Sequence, residues 1–306
     1  MLRAGRAFAL AALCTSLTAV GIAADTTTSA APNPNPNVTL IVGAAAKHNA
    51  HGTLSANVDG MSFATKTKTY KVAKASLQKV TVGSDTKETG GLPMTAAKAA
   101  VPYGGGRVIS LFAHEKFDTL TVEYRDENGG YRGVVFAMPK GQADAMAAAA
   151  GDVSTSSPAQ PMAAADRATD PGWAIQVEPL DPGDTAVSPA FLVATYEFLI
   201  EKLQDSHKFA MVLRSGDANA TKYPKLLVLK TNVISFVHGN EEQRAVTTVK
   251  GWTKLRVKMD IQTSDRRSVL QKEVESNVRF YGGNMRATQT LASSMGTLAS
   301  NAKAPE

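Results

Sequence analysis

Cysteine is nearly absent: Cys14 is the only one in 306 residues. That excludes a disulfide scaffold and any cysteine-rich zinc site. Past the amino terminus no stretch approaches 18 unbroken apolar residues, so no later segment reads as a membrane span. No G-x-S-x-G turn is present, which removes the usual strained nucleophile of a serine hydrolase. A large charge excess is missing too. Thirty-three Lys and Arg stand against 27 Asp and Glu, far from the concentrated basic surface of a nucleic-acid binder, and no nucleic-acid partner is expected. With 43% apolar and 20% charged residues, the chain is neither disordered, a coiled coil nor collagen-like. Its length is enough for two domains.

Residues 1–24 have the three parts of a secretory signal. Arg3 and Arg6 give the positive start, Ala7 to Val20 the apolar centre, and Gly21-Ile22-Ala23-Ala24 the small residues for cleavage after Ala23 or Ala24. The alternative, an amino-terminal anchor, needs about 20 apolar residues. Leu13 stands where a lipobox requires a small residue before Cys14, so lipidation is not expected. Loss of Arg3 and Arg6 leaves 31 basic against 27 acidic residues, a balance of +4. The mature chain would be exported to the periplasm or beyond, cysteine-free in an oxidising compartment, with no transmembrane segment.

Two stretches read as linkers. Residues 25–37 hold a Thr-rich run and the Pro32-Asn33-Pro34-Asn35-Pro36-Asn37 repeat, which favours neither a helix nor a core. Residues 151–171 are rich in Ser, Pro and Ala, and hydrophobic periodicity resumes only at Trp173. The expected organisation is therefore a first domain at 38–150 and a second at 172–303.

The first segment alternates in short strands. Thr53-Leu54-Ser55 and Met61-Ser62-Phe63-Ala64 flank an Asp59-Gly60 turn. Tyr70 to Val72, Val80 to Val82, Arg107 to Ala113, Leu120 to Tyr124 and Tyr131 to Met138 follow, and an alanine-rich helix closes the segment at Gln142 to Ala150. This order resembles the PH/GRAM-like barrel. The resemblance rests on Gly52-Thr53-Leu54, Gly60-Met61-Ser62-Phe63, Asp118 to Asp126, and Tyr131 to Phe136 before the helix. It implies a small β-barrel plugged by its terminal helix, and no catalytic signature.

The second segment mixes periods. Trp173 to Val177 and Phe209 to Leu213 read as strands. Ser188 and Pro189 open a helix with Leu192, Tyr196, Leu199 and Leu203 on one face. Leu226 to Val237 begins with four apolar residues, as a central strand does. Leu255, Val257, Met259 and Ile261 alternate with Lys254, Arg256, Lys258 and Asp260. Leu270, Val274, Val278 and Phe280 alternate with charged residues in a partner strand beyond the Asp265-Arg266-Arg267 turn. A helix at Asn284 to Asn301 ends the segment, with Thr288, Leu291, Met295 and Leu298 on one stripe. The expected fold class is α+β overall: the PH-like barrel, then an α/β sandwich of a mixed sheet and helices.

This half resembles a bacterial envelope family carrying the α/β module of the TolB amino-terminal domain, shared by curli-secretion lipoproteins and outer-membrane activators of penicillin-binding proteins. Ala174 to Leu180, Tyr196-Glu197-Phe198-Leu199, Leu226 to Val237 and the hairpin Lys254 to Phe280 carry it. Ser264-Asp265-Arg266-Arg267 departs from the Asp-Gly loop common there. The resemblance implies an envelope protein that contacts other envelope components and carries over no catalytic residue.

Candidate chemistry is sparse. The histidines His48, His51, His114, His207 and His238 lack helical i,i+4 spacing, and no cysteine can complete a metal set. Gly104-Gly105-Gly106-Arg107 could cradle a phosphate, but no Lys-Ser/Thr pair follows. Glu241, Glu242 and Arg244 read as solvated loop charges. No cofactor, metal or catalytic residue is assigned. The densest charge lies between Arg244 and Arg286, ten basic and four acidic residues. Period two places Lys254, Arg256 and Lys258 on one strand face, with Trp252 beside them as an aromatic anchor. These four are the candidate partner-binding residues, for an envelope protein or an anionic envelope polymer. The competing reading is a solvated face in which Glu273 and Glu275 pair across the hairpin. The functional expectation is a non-catalytic exported envelope protein that binds through both domains. The alternatives are a lipid- or peptide-binding barrel and an unrecognised hydrolase.

Overall fold

The computed structural model describes residues 35–43, 47–88, 114–151, 172–240, 251–278 and 285–303. The signal segment, most of 151–171, the Gly104 to Gly106 run, the strand expected at Arg107 to Ala113, and Glu241, Glu242 and Arg244 lie outside these residues. The described chain has mixed α and β content in two sheets and three helices.

The first sheet has seven antiparallel strands: β1 (Asn35–Val42), β2 (Ala50–Asn57), β3 (Gly60–Ala64), β4 (Thr69–Ala73), β5 (Leu77–Glu88), β6 (His114–Arg125) and β7 (Tyr131–Pro139). Their order is β4-β3-β2-β1-β7-β6-β5. Two meanders, β1 to β4 and β5 to β7, are joined by the β1–β7 ladder. β1 begins at Asn35, inside the stretch expected to be linker, and it occupies the middle of the sheet. The physical reason is Val38, Leu40 and Val42, all fully buried; this apolar run draws the preceding Pro-Asn residues into a strand.

Helix α1 (Ala143–Ala150) packs against β2, β5 and β6. β2 and β5 are far apart in the strand order, so one eight-residue helix can touch both only if the sheet curls around it. Met146, Ala143 and Ala150 join Leu40, Leu54, Phe63, Leu120 and Phe136 in one core. Lys74, between β4 and β5, donates to the Ala150 carbonyl and caps the helix end. No ladder joins the end strands β4 and β5 among the described residues. The sheet thus has two ends, and the closed barrel of the sequence expectation is not what this order describes.

The second sheet has the order β12-β11-β10-β8-β9, from β8 (Ala174–Val177), β9 (Val212–Arg214), β10 (Leu226–Val237), β11 (Thr253–Thr263) and β12 (Ser268–Val278). β8 pairs in parallel with both β10 and β9. Adjacent parallel strands need a crossover, which helix α2 (Pro189–Asp205) supplies. β10 is central, as its apolar start implied. The strand expected at Phe209 to Leu213 pairs only over Val212–Arg214. Ser188 occupies the cap position of α2, but its side chain makes no capping bond. Helix α3 (Arg286–Ser300) lies beside α2 and packs on β11 and β12.

α2 is buried nearly all round, at Ala190, Phe191, Val193 to Ile200 and Leu203. A helix with this pattern has neighbours on every side. One side meets the second sheet and α3; another meets β7, β6 and β1 of the first sheet. Val42, Tyr131 and Val135 of the first sheet therefore share a core with Ile175, Leu229 and Val257 of the second and with Leu291 of α3.

Candidate functional site

A buried ion pair lies where α2 meets both sheets. Arg214 at the end of β9 donates Nη1 and Nη2 to the two carboxylate oxygens of Glu197, each at 2.7 Å. The Gly133 N–H on β7 donates to the same carboxylate at 2.8 Å, and Arg214 Nη1 also reaches the Tyr131 carbonyl at 3.1 Å. Both side chains are buried. Burial by itself lowers the Arg214 pKa, but the hydrogen bonds and charge of Glu197 outweigh it and hold the guanidinium above its ordinary value. The Arg214 guanidinium lies 5.7 Å from the Tyr196 ring centre, and Tyr196 meets Tyr131 edge-on at 5.1 Å. Around the node, Arg125 Nη1 donates to the carbonyls of Gly129 and Ser215, and the Tyr131 N–H donates to the Ser215 carbonyl. Glu197 and Arg214 answer each other's charge, which suits a structural lock between the sheets, while Arg125 Nε is buried without a hydrogen-bond partner.

His48, in the turn between β1 and β2, bonds Glu201 of α2 at 2.9 Å and packs edge-on against Phe198. His51 shares a hydrogen bond with Thr39. Among the described residues no group of three or more His, Cys, Asp or Glu side chains could hold a metal ion. A groove of about 410 Å³ between α2 and α3 is lined by Phe198, Glu201, Lys202, Asp205, Arg286 and Gln289, among others. Its walls are largely polar and it lies away from the concave side of the first sheet, where α1 packs.

The residues singled out from the sequence lie on the second sheet's other face. Leu255, Val257, Met259 and Ile261 are fully buried against the helices, and Lys254, Arg256 and Lys258 point away from them. Strand register sets Lys254 near Asn277, Arg256 opposite Glu275 and Lys258 opposite Glu273. Lys254 pairs with Glu275 at 3.1 Å; Arg256 pairs with Glu275 at 3.3 Å and Glu273 at 3.7 Å. These cations hold the Glu275 carboxyl below its ordinary pKa, the Lys254 hydrogen bond being the largest cause. The cross-strand pairing weighed against docking is therefore present for two of the three basic residues. Lys258 makes no ion pair among the described residues.

Sequence reading missed the contribution of β10 to this face. Lys230 lies there opposite Asp260, and Asn232 opposite Lys258 donates to Asp181 at 3.1 Å. Lys230, Lys254, Arg256 and Lys258 thus stand among Asp181, Asp260, Glu273 and Glu275, four charges of each sign. β10 also carries a β-bulge between Val233 and Ser235. The extra residue restarts the alternation: Phe236 turns inward onto Phe191, while Ile234 and Val237 stay 38% and 53% exposed. Trp252 precedes β11 and is half-buried. The Asn240 N–H donates to the Gly251 carbonyl, which continues the hairpin and sets Trp252 alongside the end of β10. The period-two pattern foretold the charged face; the bulge, one residue out of phase, has no comparable signal.

No protein-family model and no curated protein matches the chain. Solved structures similar to part of it include the following two. A PelC dodecamer variant from Paraburkholderia phytofirmans is 14% identical, with a TM-score of 0.33, over 46% of this chain and 96% of that one. A candidate lipoprotein from Caulobacter crescentus CB15 is 14% identical, with a TM-score of 0.21, over 40% and 84%. Scores this low carry no inference about role. No helix among the described residues is long and apolar enough to cross a membrane.

Proposed function

We propose that this chain is an exported, non-catalytic protein of the bacterial envelope that docks another envelope component on the open face of its five-stranded sheet. The supporting observation is one-sided coverage among the described residues: both α2 and α3 pack on one face, and Lys254, Arg256 and Lys258 lie on the opposite face. A rigid sheet is a suitable platform for such contacts. The tripartite amino terminus supplies the export half of the reading.

The test is Lys254→Glu with Arg256→Glu and Lys258→Glu in the mature protein. The variant is assayed by pull-down from its own envelope at several salt concentrations and by thermal melting. Exposed ion pairs contribute roughly 0–1 kcal/mol each, so the variant should stay folded. Docking should weaken, most clearly at low salt, where charges act over about 10 Å at 0.1 M. Recovery of the same partners at the same yield across salt would reduce the face to a solvated surface.

A further inference from the structure

We propose that the free edge of β4 receives an extended acidic segment of another protein as an added strand, its carboxylates facing Lys66, Lys68 and Lys71. This site lies on the first sheet and does not depend on the docking face of the second. Three observations carry it.

The first is the edge. β4 (Thr69–Ala73) pairs with β3 on one side and ends the sheet. A three-residue turn, Lys74–Ser76, leads straight into β5, the strand at the other end. The two end strands therefore meet at a corner, yet no ladder joins them among the described residues. The backbone groups on the outer side of β4 are left without a partner strand. An unpaired row of N–H and C=O groups is a template for one more strand.

The second is charge. Between Asp59 and Asp85 the sequence has no acidic residue and five lysines. Lys74 donates to the Ala150 carbonyl, and Lys79 stands opposite Glu123. Lys66 and Lys68 in the turn before β4, and Lys71 at its centre, are exposed and make no ion pair among the described residues. Lys71 has uncharged neighbours across the sheet: Ser62 on β3, then Ser55 on β2, whose hydroxyls bond each other. Lys254 and Arg256 differ, since each already holds a glutamate. Three like charges stand unanswered here, and a carboxylate is the side chain that answers them.

The third is alternation. Thr69, Lys71 and Ala73 are exposed, while Tyr70 and Val72 are half-buried and pack on the core of the first sheet. A strand laid beside β4 would alternate in the same phase. Its acidic side chains would lie beside Lys71, and its apolar ones beside Tyr70 and Val72, whose burial it would complete. Lysine on an edge is also a guard against pairing. The two roles agree. Lys71 repels a second copy of β4, which would set lysine against lysine, and admits a strand of opposite charge. The fitting segment alternates Asp or Glu with an aliphatic residue over the length of β4.

The probe is a capped Glu-Val-Glu-Val-Glu peptide, titrated into the mature protein and followed by fluorescence anisotropy and amide NMR shifts. The expected result is saturable binding, with shifts concentrated at Thr69 to Ala73. Lys71→Glu should weaken binding by about tenfold, and Lys66→Glu with Lys68→Glu by a similar factor. Circular dichroism verifies the fold, and Lys71→Gln replaces Lys71→Glu if the glutamate unfolds the chain. The same peptide with its backbone N–H groups methylated should not bind, since it cannot donate to the edge. Equal binding of the methylated peptide would overturn strand addition. Equal binding of a Lys-Val-Lys-Val-Lys peptide, or charge-reversed variants without effect, would overturn the role of the lysines. No saturation at millimolar peptide, or lysine-dependent binding to phosphatidylglycerol vesicles in place of the peptide, would overturn the proposal as a whole. All of these outcomes leave the docking face of the second sheet untouched.

Discussion

Glu197 and Arg214 face each other through two parallel 2.7 Å hydrogen bonds, and the same carboxylate accepts the N–H of Gly133 from the other sheet. One side chain of α2 thus ties together β9, β7 and the helix itself. Removing one member of a buried pair leaves the other charged and unanswered. Glu197→Ala should therefore destabilise the fold by about 3–5 kcal/mol, and Arg214→Met by a similar amount. The double variant should be less damaged than the sum of the two, since both charges leave together. Urea unfolding of the four proteins measures this, and strict additivity would show that the pair is not coupled.

Gly133 is required by packing. A Cβ at this position would overlap Cγ1 of Val193 on α2. Gly133→Ala should cost about 1–3 kcal/mol, in the range of other overpacked cores. Val193→Ala in the same chain should restore part of the loss by making room. Thermal melting of both variants is sufficient, and an unaffected Gly133→Ala would mean that the sheet and helix can separate freely.

The segments 38–150 and 172–303 share the core around α2. A protease site engineered within 151–171 should therefore yield two fragments that stay associated after cleavage and co-elute by size exclusion in native buffer. Fragments that separate at once would show that the shared core contributes little to holding them together.

Three phenols near the α2 interface set an alkaline limit. Burial is the first cause that raises Tyr131, Tyr196 and Tyr124 above the ordinary 10.0. Tyr131 is raised further by Glu123, to which its hydroxyl donates at 2.9 Å. A raised folded-state pKa means that the unfolded chain releases these protons first. The stabilising contribution is complete below about pH 10 and is lost as pH climbs towards the folded-state values. Melting temperature should fall progressively above that pH. Tyr131→Phe removes one of these protons, and should flatten the fall while lowering stability at neutral pH by about 1 kcal/mol through the lost hydrogen bond. An unchanged slope would show that Tyr131 does not contribute to it.

Hydrophobic period and turn residues decided much of the local structure. Alternation in Lys254 to Ile261 determined which side of β11 is charged, because a strand's side chains alternate strictly. The four apolar residues opening β10 determined its central place, and the all-round apolar pattern of α2 could have announced a helix with neighbours on every side. What needed the tertiary structure was everything that depends on two distant segments meeting. β1 was hidden by Pro-Asn residues that argue for a linker; Val38, Leu40 and Val42 become a strand because two other strands bury them. Glu197 looked like an ordinary helix glutamate until Arg214 and Gly133 were brought to it. Lys230 and Asp181 joined the candidate face only through pairing of β10 with its neighbours. The bulge at Ile234 shifts side chains by a single residue, and that choice is made by the fit of Phe236 into the core rather than by any local preference of the chain.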